Sequence, residues 1–224
     1  MLVPIVSDIF YSFCEGHSLP AQMRACGSAF IPKGDDVNSP GVRLPQKTRP
    51  LTLRPVSTKV VASVVNLALS EIAQRVCIDN QRGYVKGRRA HDSAIELANE
   101  LDILRLRDSH DASCIGIDME AAFPSISQRY VLKSLQAIGV PNGICNAVKA
   151  LLNGNTMQIA FRGKVFESMQ VTSGILQGCP TSGSLFAIAF DPVVRFLCMR
   201  IPRSMGRIWF LRTMLLLFYT PSPH

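Results

Sequence analysis

Cys114-Ile115-Gly116-Ile117-Asp118-Met119-Glu120-Ala121-Ala122-Phe123 is the stretch on which the fold turns. A short apolar run ends in a carboxylate, and an aromatic ring follows five residues later. The run predicts a strand over residues 113–119, buried on at least one face. A strand fixes its backbone, so Asp118 projects from a defined place at the sheet edge. That suits a metal ligand, because Mg²⁺ takes oxygen donors and keeps several waters. The adjacent carbonyl of Met119 can supply one more oxygen. Two-metal phosphoryl transfer holds its ions about 3.5–4 Å apart on several carboxylates. Asp118 taken alone therefore reads more simply as a residue capping the turn before Ser127.

Around this stretch lie 224 residues, room for one large or two small domains. Hydrophobic residues make up 47%, enough for a sizeable core. The formal charge of +8 favours an anionic partner, nucleic acid or a membrane surface. The seven cysteines are scattered, odd in number and never spaced CxxC. That argues against a zinc site or a disulfide framework and for a reducing, intracellular compartment. The N-terminus does not read as a secretory signal. The apolar run 208–219 is too short to span a bilayer, so no membrane partner is expected.

Residues 1–30 show no readable pattern. Residues 31–56, rich in Pro, Gly and basic residues, predict short strands and loops carrying Lys33, Arg43, Lys47, Arg49 and Arg54. Val61, Val65, Leu69, Ile72 and Val76 recur at helical spacing over 58–76. Residues 80–89 form a basic, glycine-punctuated loop. A second helix is expected over 92–107, with Asp92 as N-cap and Ile95, Ala98, Leu101 and Leu104 on one face. A third covers 127–138, capped by Ser127 and ended by Gly139. A fourth covers 141–152. A hairpin over 156–161 and 164–171 turns at Arg162-Gly163. A last helix, 181–199, has Pro180 at its start and is kinked or divided by Pro192.

Two further clusters carry chemistry. Residues 172–186, Thr-Ser-Gly-Ile-Leu-Gln-Gly-Cys-Pro-Thr-Ser-Gly-Ser-Leu-Phe, form a Gly/Ser-rich loop before a helix. Such a loop lets backbone approach a base pair or phosphate, and Gln177 offers both a donor and an acceptor. The bland alternative is a glycine loop that caps a helix. The basic set Lys33, Lys47, Arg49 and Arg54 could clamp a triphosphate or a nucleic-acid backbone, or simply face solvent. Arg82, Lys86, Arg88 and Arg89 repeat the theme.

The order of these motifs says more than any one of them. Phe30-Ile31-Pro32-Lys33, Arg49-Pro50-Leu51-Thr52-Leu53, Gln81-Arg82-Gly83-Tyr84-Val85-Lys86-Gly87-Arg88, Asp118 to Phe123, and Gly174 to Phe186 with Asp191-Pro192 follow one another. In that order the chain resembles a reverse transcriptase of the non-LTR (LINE-like) retrotransposon type, over roughly residues 28–200. The resemblance implies an α+β fold, a right-hand polymerase with fingers at 28–112, a partial palm at 113–206, no thumb, and a poorly defined segment at 1–27. It implies RNA-directed DNA polymerisation with Mg²⁺ or Mn²⁺, an RNA template, a DNA primer and dNTPs, and nuclear residence. Asp118 would be the catalytic metal ligand, helped by the Met119 carbonyl. Phe123 would lie under the incoming sugar and exclude a 2′-hydroxyl. Lys33 and Arg49 would hold the triphosphate, and Gln177 and Gly178 would meet nucleotide and template. Arg82, Lys86, Arg88 and Arg89 would lie near a nucleic-acid strand.

The chain departs from this pattern in one place. The family carries a later hairpin with two adjacent aspartates in an A-D-D context, and this chain has no Asp or Glu after Asp191. Residues 207–224 therefore read as an aberrant tail. Codons ending in G at Leu211, Arg212 (CGG) and Thr213 (ACG) would contain, shifted in frame, GCG-GAC-GAT, which is Ala-Asp-Asp. The expectation is a frame-shifted remnant that is catalytically inactive. The rival expectations are a non-catalytic nucleic-acid-binding remnant, a maturase-like protein of the same fold, and an unstable pseudogene product.

Overall fold

The computed structural model describes residues 2–33, 44, 47–106, 113–161, 164–166, 169–201, 206–211 and 214–219. In chain order the elements are α1 (Leu2–Cys14), α2 (Ala21–Arg24), β1 (Ala25–Pro32), β2 (Thr48–Leu53), α3 (Val56–Val76), α4 (Ala90–Leu106) and β3 (Ser113–Asp118). There follow α5 (Ala122–Ser125), α6 (Gln128–Ala137), α7 (Asn142–Leu152), β4 (Thr156–Phe161), β5 (Lys164–Val165), β6 (Met169–Gln170), α8 (Ser182–Arg200), β7 (Gly206–Leu211) and β8 (Met214–Tyr219). They form two compact units, each built from two stretches of chain. Unit 1 takes residues 1–68 and 123–182, and unit 2 takes 69–122 and 183–224. These units cut across the sequential boundaries at 27, 112 and 206.

Unit 1 is built on a sheet in the order β2-β1-β4-β5, with β6 also paired to β4. β1 and β2 are antiparallel, with Ile31 opposite Arg49, while β1 and β4 are parallel, with Cys26 opposite Met157. α1 packs on α7, and α7 on α6. α7 buries Cys145, Ala147, Val148, Leu151 and Leu152, the stripe expected of a helix with one apolar face. α6 ends as its sequence predicts. Ser127 accepts the Tyr130 N–H at 3.4 Å, and Gly139 takes φ +75° while the Gly139 and Val140 N–H groups donate to Gln136 and Leu135. That is the paired closure of a left-handed helix end. Residues 1–30, unreadable in sequence, hold α1, α2 and β1.

Unit 2 has a three-stranded sheet in the order β3-β8-β7, antiparallel throughout. One expectation changes here. Cys114, Ile115, Gly116, Ile117 and Asp118 are all exposed, so the predicted burial of β3 is corrected; β3 is an edge strand with β8 on one side. In the stretch read as an aberrant tail, residues 206–211 and 214–219 pair as β7 and β8, and Ile208 is buried. Arg212 and Thr213 lie outside the described residues, as do Arg43 and residues 162–163.

The helices are refined too. α4 starts at Ala90, which puts Asp92 inside its first turn rather than at the cap. Ile95, Ala98 and Leu101 face outward, the side chain of Leu104 lies outside the described residues, and Ser93 is the buried position among those described. α8 runs unbroken through Pro192. α3 and α8 are long and apolar enough to cross a membrane by length and composition. In this fold they bury Val61, Ala62, Val65 and Leu69, and Leu185 to Ala189, respectively.

Candidate functional site

Most of the expected nucleotide-binding residues gather in unit 1, and backbone hydrogen bonds hold them there. Lys33 follows β1, and its N–H donates to the Lys47 carbonyl at 2.8 Å. Arg49 lies on β2 and is exposed. The Thr52 N–H donates to the Gln177 carbonyl at 2.8 Å, which ties the glycine loop to β2. The loop's other end is tied to α5 and the turn after it. Ile175 donates to the carbonyl of Phe123 at 2.8 Å, Gly174 donates to Ile126 at 3.0 Å, and Gln128 Nε2 donates to Gly174 at 3.1 Å.

Two glycines of this loop are required by shape as well as by backbone angle. Gly174 has φ +83°, and a Cβ there would stand 2.7 Å from the Pro124 carbonyl oxygen. Gly178 has φ +97°, and a Cβ there would stand 2.8 Å from the Thr52 carbonyl oxygen. L-residues adopt such angles only with strain. Gln177 is half-buried and Gly178 exposed. The loop thus presents Gln177 and Gly178 beside a strand that carries Arg49, with Phe123 half-buried at its other end. A surface with a basic strand, a glycine backbone and an amide side chain can meet a phosphate and a base edge together.

Arg54 does not belong to that surface. It is buried, and its guanidinium donates to the Leu151 carbonyl at 2.7 Å, to Asn155 Oδ1 at 2.5 Å and toward the Cys179 sulfur at 3.3 Å. The basic clamp inferred from sequence loses this member. Arg54 pins β2 to α7 and to the glycine loop, and only its spacing in the chain made it look like its neighbours.

In unit 2, Asp118 ends β3 as expected and is exposed. Met119 is half-buried, Glu120 is exposed, and Ala121 has φ +51°, a strained angle for a residue with a Cβ. The strain sets the sharp turn out of the strand. Asp118 pairs with Met214 in the β3–β8 register, and Leu211 pairs with Met214 across the hairpin. Leu211 and Met214 are thus the described strand ends level with Asp118, and the sequence carries no Asp or Glu after Asp191. Among the described residues no group of three His, Cys, Asp or Glu could hold a metal ion.

The basic loop 80–89 has mixed duties. Arg88 donates to the carbonyls of Cys77 at 2.8 Å and Gln81 at 2.9 Å, and also to Ile78 and Gln74, with Asp79 at 3.6 Å. One guanidinium thus answers the open carbonyls at the end of α3. Arg82 pairs with Glu96 at 2.6 Å and Lys86 with Glu71, which holds the Glu71 carboxyl below its ordinary value. Arg89 is exposed. Tyr84, at φ +61°, sets its ring edge against Phe186, and a Cβ on Gly183 would meet that ring at 3.0 Å. Asp191 accepts the Ile78 N–H at 2.9 Å and the Arg195 Nε–H at 2.5 Å. Sequence reading missed these structural uses, because a side chain aimed at distant backbone leaves no local pattern.

Comparison with known proteins fits this architecture. Residues 31–212 match the model of the family described as "Reverse transcriptase (RNA-dependent DNA polymerase)". The uncharacterized 149 kDa protein of transposon TX1 from Xenopus laevis is 26% identical over 190 residues, which are 85% of this chain and 14% of that protein. The Pol polyprotein of the type-2 retrotransposable element R2DM from Drosophila melanogaster is 26% identical over 193 residues, 84% of this chain and 17% of that protein. The chain thus spans a small part of the length of these relatives. Among solved structures, telomerase from Candida albicans in complex with the TWJ fragment of telomeric RNA has a TM-score of 0.63 at 12% identity, covering 97% of this chain and 42% of that one. Telomerase from Candida tropicalis with the same kind of RNA fragment gives 0.62 over 97% of this chain and 39% of that one. On the family match, the relatives and the shared α+β polymerase fold, this chain belongs to the reverse transcriptase family and resembles the retrotransposon type.

Proposed function

We propose that this chain is a retrotransposon reverse-transcriptase domain that binds nucleic acid and nucleotide but does not polymerise as it stands. The observation that carries the reading is the register of Asp118 with Met214, in a stretch of chain that has no Asp or Glu after Asp191. Reverse transcriptases generally use a divalent metal. Two such ions need several carboxylates between them, and Asp118 with the Met119 carbonyl does not amount to that set. Glu120 is exposed beyond the strand end, before the left-handed Ala121.

The binding half of the proposal rests on unit 1. Lys33 and Arg49 would meet a triphosphate, Phe123 the incoming sugar, and Gln177 and Gly178 the nucleotide and template. RNA template, DNA primer and dNTPs are the partners this implies. Arg82, Lys86 and Arg89 remain proposed contacts to a strand. The four carbonyls on Arg88 support a structural duty for it instead. The alternative, a remnant that binds nucleic acid and has no nucleotide site, agrees on synthesis and differs on dNTP binding.

The test is primer extension with an RNA template, a DNA primer, dNTPs and Mg²⁺ or Mn²⁺, run beside salt-dependent binding of the same template–primer. The expected result is binding that weakens with salt and no extension. Extension that disappears on Asp118→Ala would overturn the inactivity, and no binding at low salt would overturn the rest.

A further inference from the structure

Unit 1 carries a second polar feature, which shares no residue with the glycine loop or β2. A cavity of about 190 Å³ lies where the turn after α1 meets α2 and α7. Its walls include His17, Arg24, Asn146, Lys149, Asn153 and Gly154, and no acidic residue lines it. Glu15, outside the lining, has its carboxylate 3.9 Å from His17 Nδ1 and is largely exposed. Arg24 and Lys149 have no ion-pair partner among the described residues.

Arg24 is the residue that asks for a ligand. Its Nε is buried and has no hydrogen-bond partner among the described residues. Leaving such a donor unanswered costs free energy; the protein's own atoms close it off, so the terminal nitrogens of the same guanidinium are what a ligand in the cavity would reach. Space is reserved for this guanidinium. Gly154 has φ +68°, and a Cβ there would stand 2.6 Å from Arg24 Nη1. Asn146 donates Nδ2 to the Cys14 carbonyl at 3.0 Å, which fixes the opposite wall. The bland use of these cations is to offset the carbonyl ends of α1 and α7. That use leaves Arg24 Nε unanswered.

We propose that this cavity binds a phosphate group. The Arg24 guanidinium offers the planar fork that matches phosphate oxygens, and Lys149 adds a point charge from α7. His17 directs Nδ1 at the Ser12 carbonyl at 3.0 Å, which holds its ring at the cavity wall. The phosphate can come from a nucleic-acid strand or from a free phosphate compound. The inference does not rest on the polymerase reading, because its first test uses neither template nor nucleotide.

That test titrates the full chain with inorganic phosphate and follows the Arg24 Nε–Hε resonance by NMR, identified by its loss in Arg24→Lys. The expected result is a saturable shift that chloride at equal ionic strength does not produce. Lys149→Gln, on an exposed position, should weaken it about tenfold, the equivalent of one lost charged contact. A second arm adds a single-stranded RNA oligonucleotide. If a strand is the source, RNA displaces phosphate, and Arg24→Gln/Lys149→Gln lowers the logarithmic salt slope of RNA binding by about 0.7, one phosphate's worth. If RNA leaves the resonance unmoved while phosphate shifts it, the source is a free phosphate compound. No saturable shift with either probe, an equal shift with chloride, or no effect of Lys149→Gln overturns the proposal.

Discussion

Asp118, the last residue of β3, is paired in register with Met214, the first residue of β8. This pairing sets Asp118 level with the start of β8, in a stretch of sequence that has no Asp or Glu after Asp191. Supplying the missing groups should therefore change metal binding before it changes anything else. The triple variant Leu211→Ala, Arg212→Asp, Thr213→Asp is expected to bind Mn²⁺ at least about tenfold more tightly than the native chain, by water-proton relaxation. The gain should vanish when Asp118→Ala is added. An unchanged affinity would mean that the hairpin end and Asp118 do not form one site.

The coding DNA offers a separate check. If the tail is a shifted remnant of an Asp-Asp hairpin, codons 211–213 read as a leucine codon ending in G, then CGG, then ACG. Sequencing that finds other codons there ends the idea without touching the fold.

Gly178 and Gly174 should be intolerant of any side chain. Each combines a left-handed backbone with a backbone oxygen of a neighbouring segment, Pro124 or Thr52, under 3.0 Å from where a Cβ would be. Gly178→Ala and Gly174→Ala are each expected to lower stability by about 1–3 kcal/mol, measured by urea unfolding. Gly139→Ala is a useful contrast. It has the same kind of backbone angle but open space around it, so it should cost less.

Arg88 and Arg89 are adjacent in sequence and should behave differently. Arg88→Ala leaves several carbonyls at the end of α3 without their donor, and a loss of about 2–3 kcal/mol is expected. Arg89→Ala, at an exposed position, should stay within about 0.5 kcal/mol. Paired melting curves decide it, and equal losses would contradict the capping role.

Burial pushes the Cys77 thiol up to about 12, with the nearby Asp191 carboxylate adding to the effect. A folded-state value raised above the unfolded one gives stability that is complete below the unfolded value and is lost as pH rises. The loss should therefore run from about pH 9 toward pH 12, at up to about 1.4 kcal/mol per pH unit. Cys77→Ser should flatten that slope in unfolding measured across the range. A variant as alkali-sensitive as the native chain would point to another group.

Much of this architecture could be read from residues close together in the chain. The cap and stop of α6 depend on Ser127 and Gly139, and both act within a few residues. Helices α3, α7 and α8 follow from apolar spacing, and the ordered motifs give the family. Long-range geometry was hidden. Arg54 and Arg88 look like phosphate or strand contacts in sequence, and each is spent on a partner, most of them backbone groups. The exposure of β3 was hidden for the same reason. An apolar run states that burial would be favourable and not which elements arrive to provide it. Among the candidate site residues, the gathering of Phe123, Gln177 and Thr52 was legible only as motif order, since their contacts are backbone bonds across 52–177.

The sheet order β3-β8-β7 has a consequence for how the protein is made. Its middle strand is contributed last, and β8 pairs with a strand about a hundred residues earlier. On a ribosome, the β1–β2–β4 sheet has all its strands once residue 161 has emerged. β3 must wait with both edges bare until the final hairpin appears. Such a bare strand, with Ile115 and Ile117 outward, is what chaperones bind and what seeds aggregation. The yield of folded protein should thus depend on how quickly synthesis passes residues 206–219, whatever chemistry the finished molecule performs.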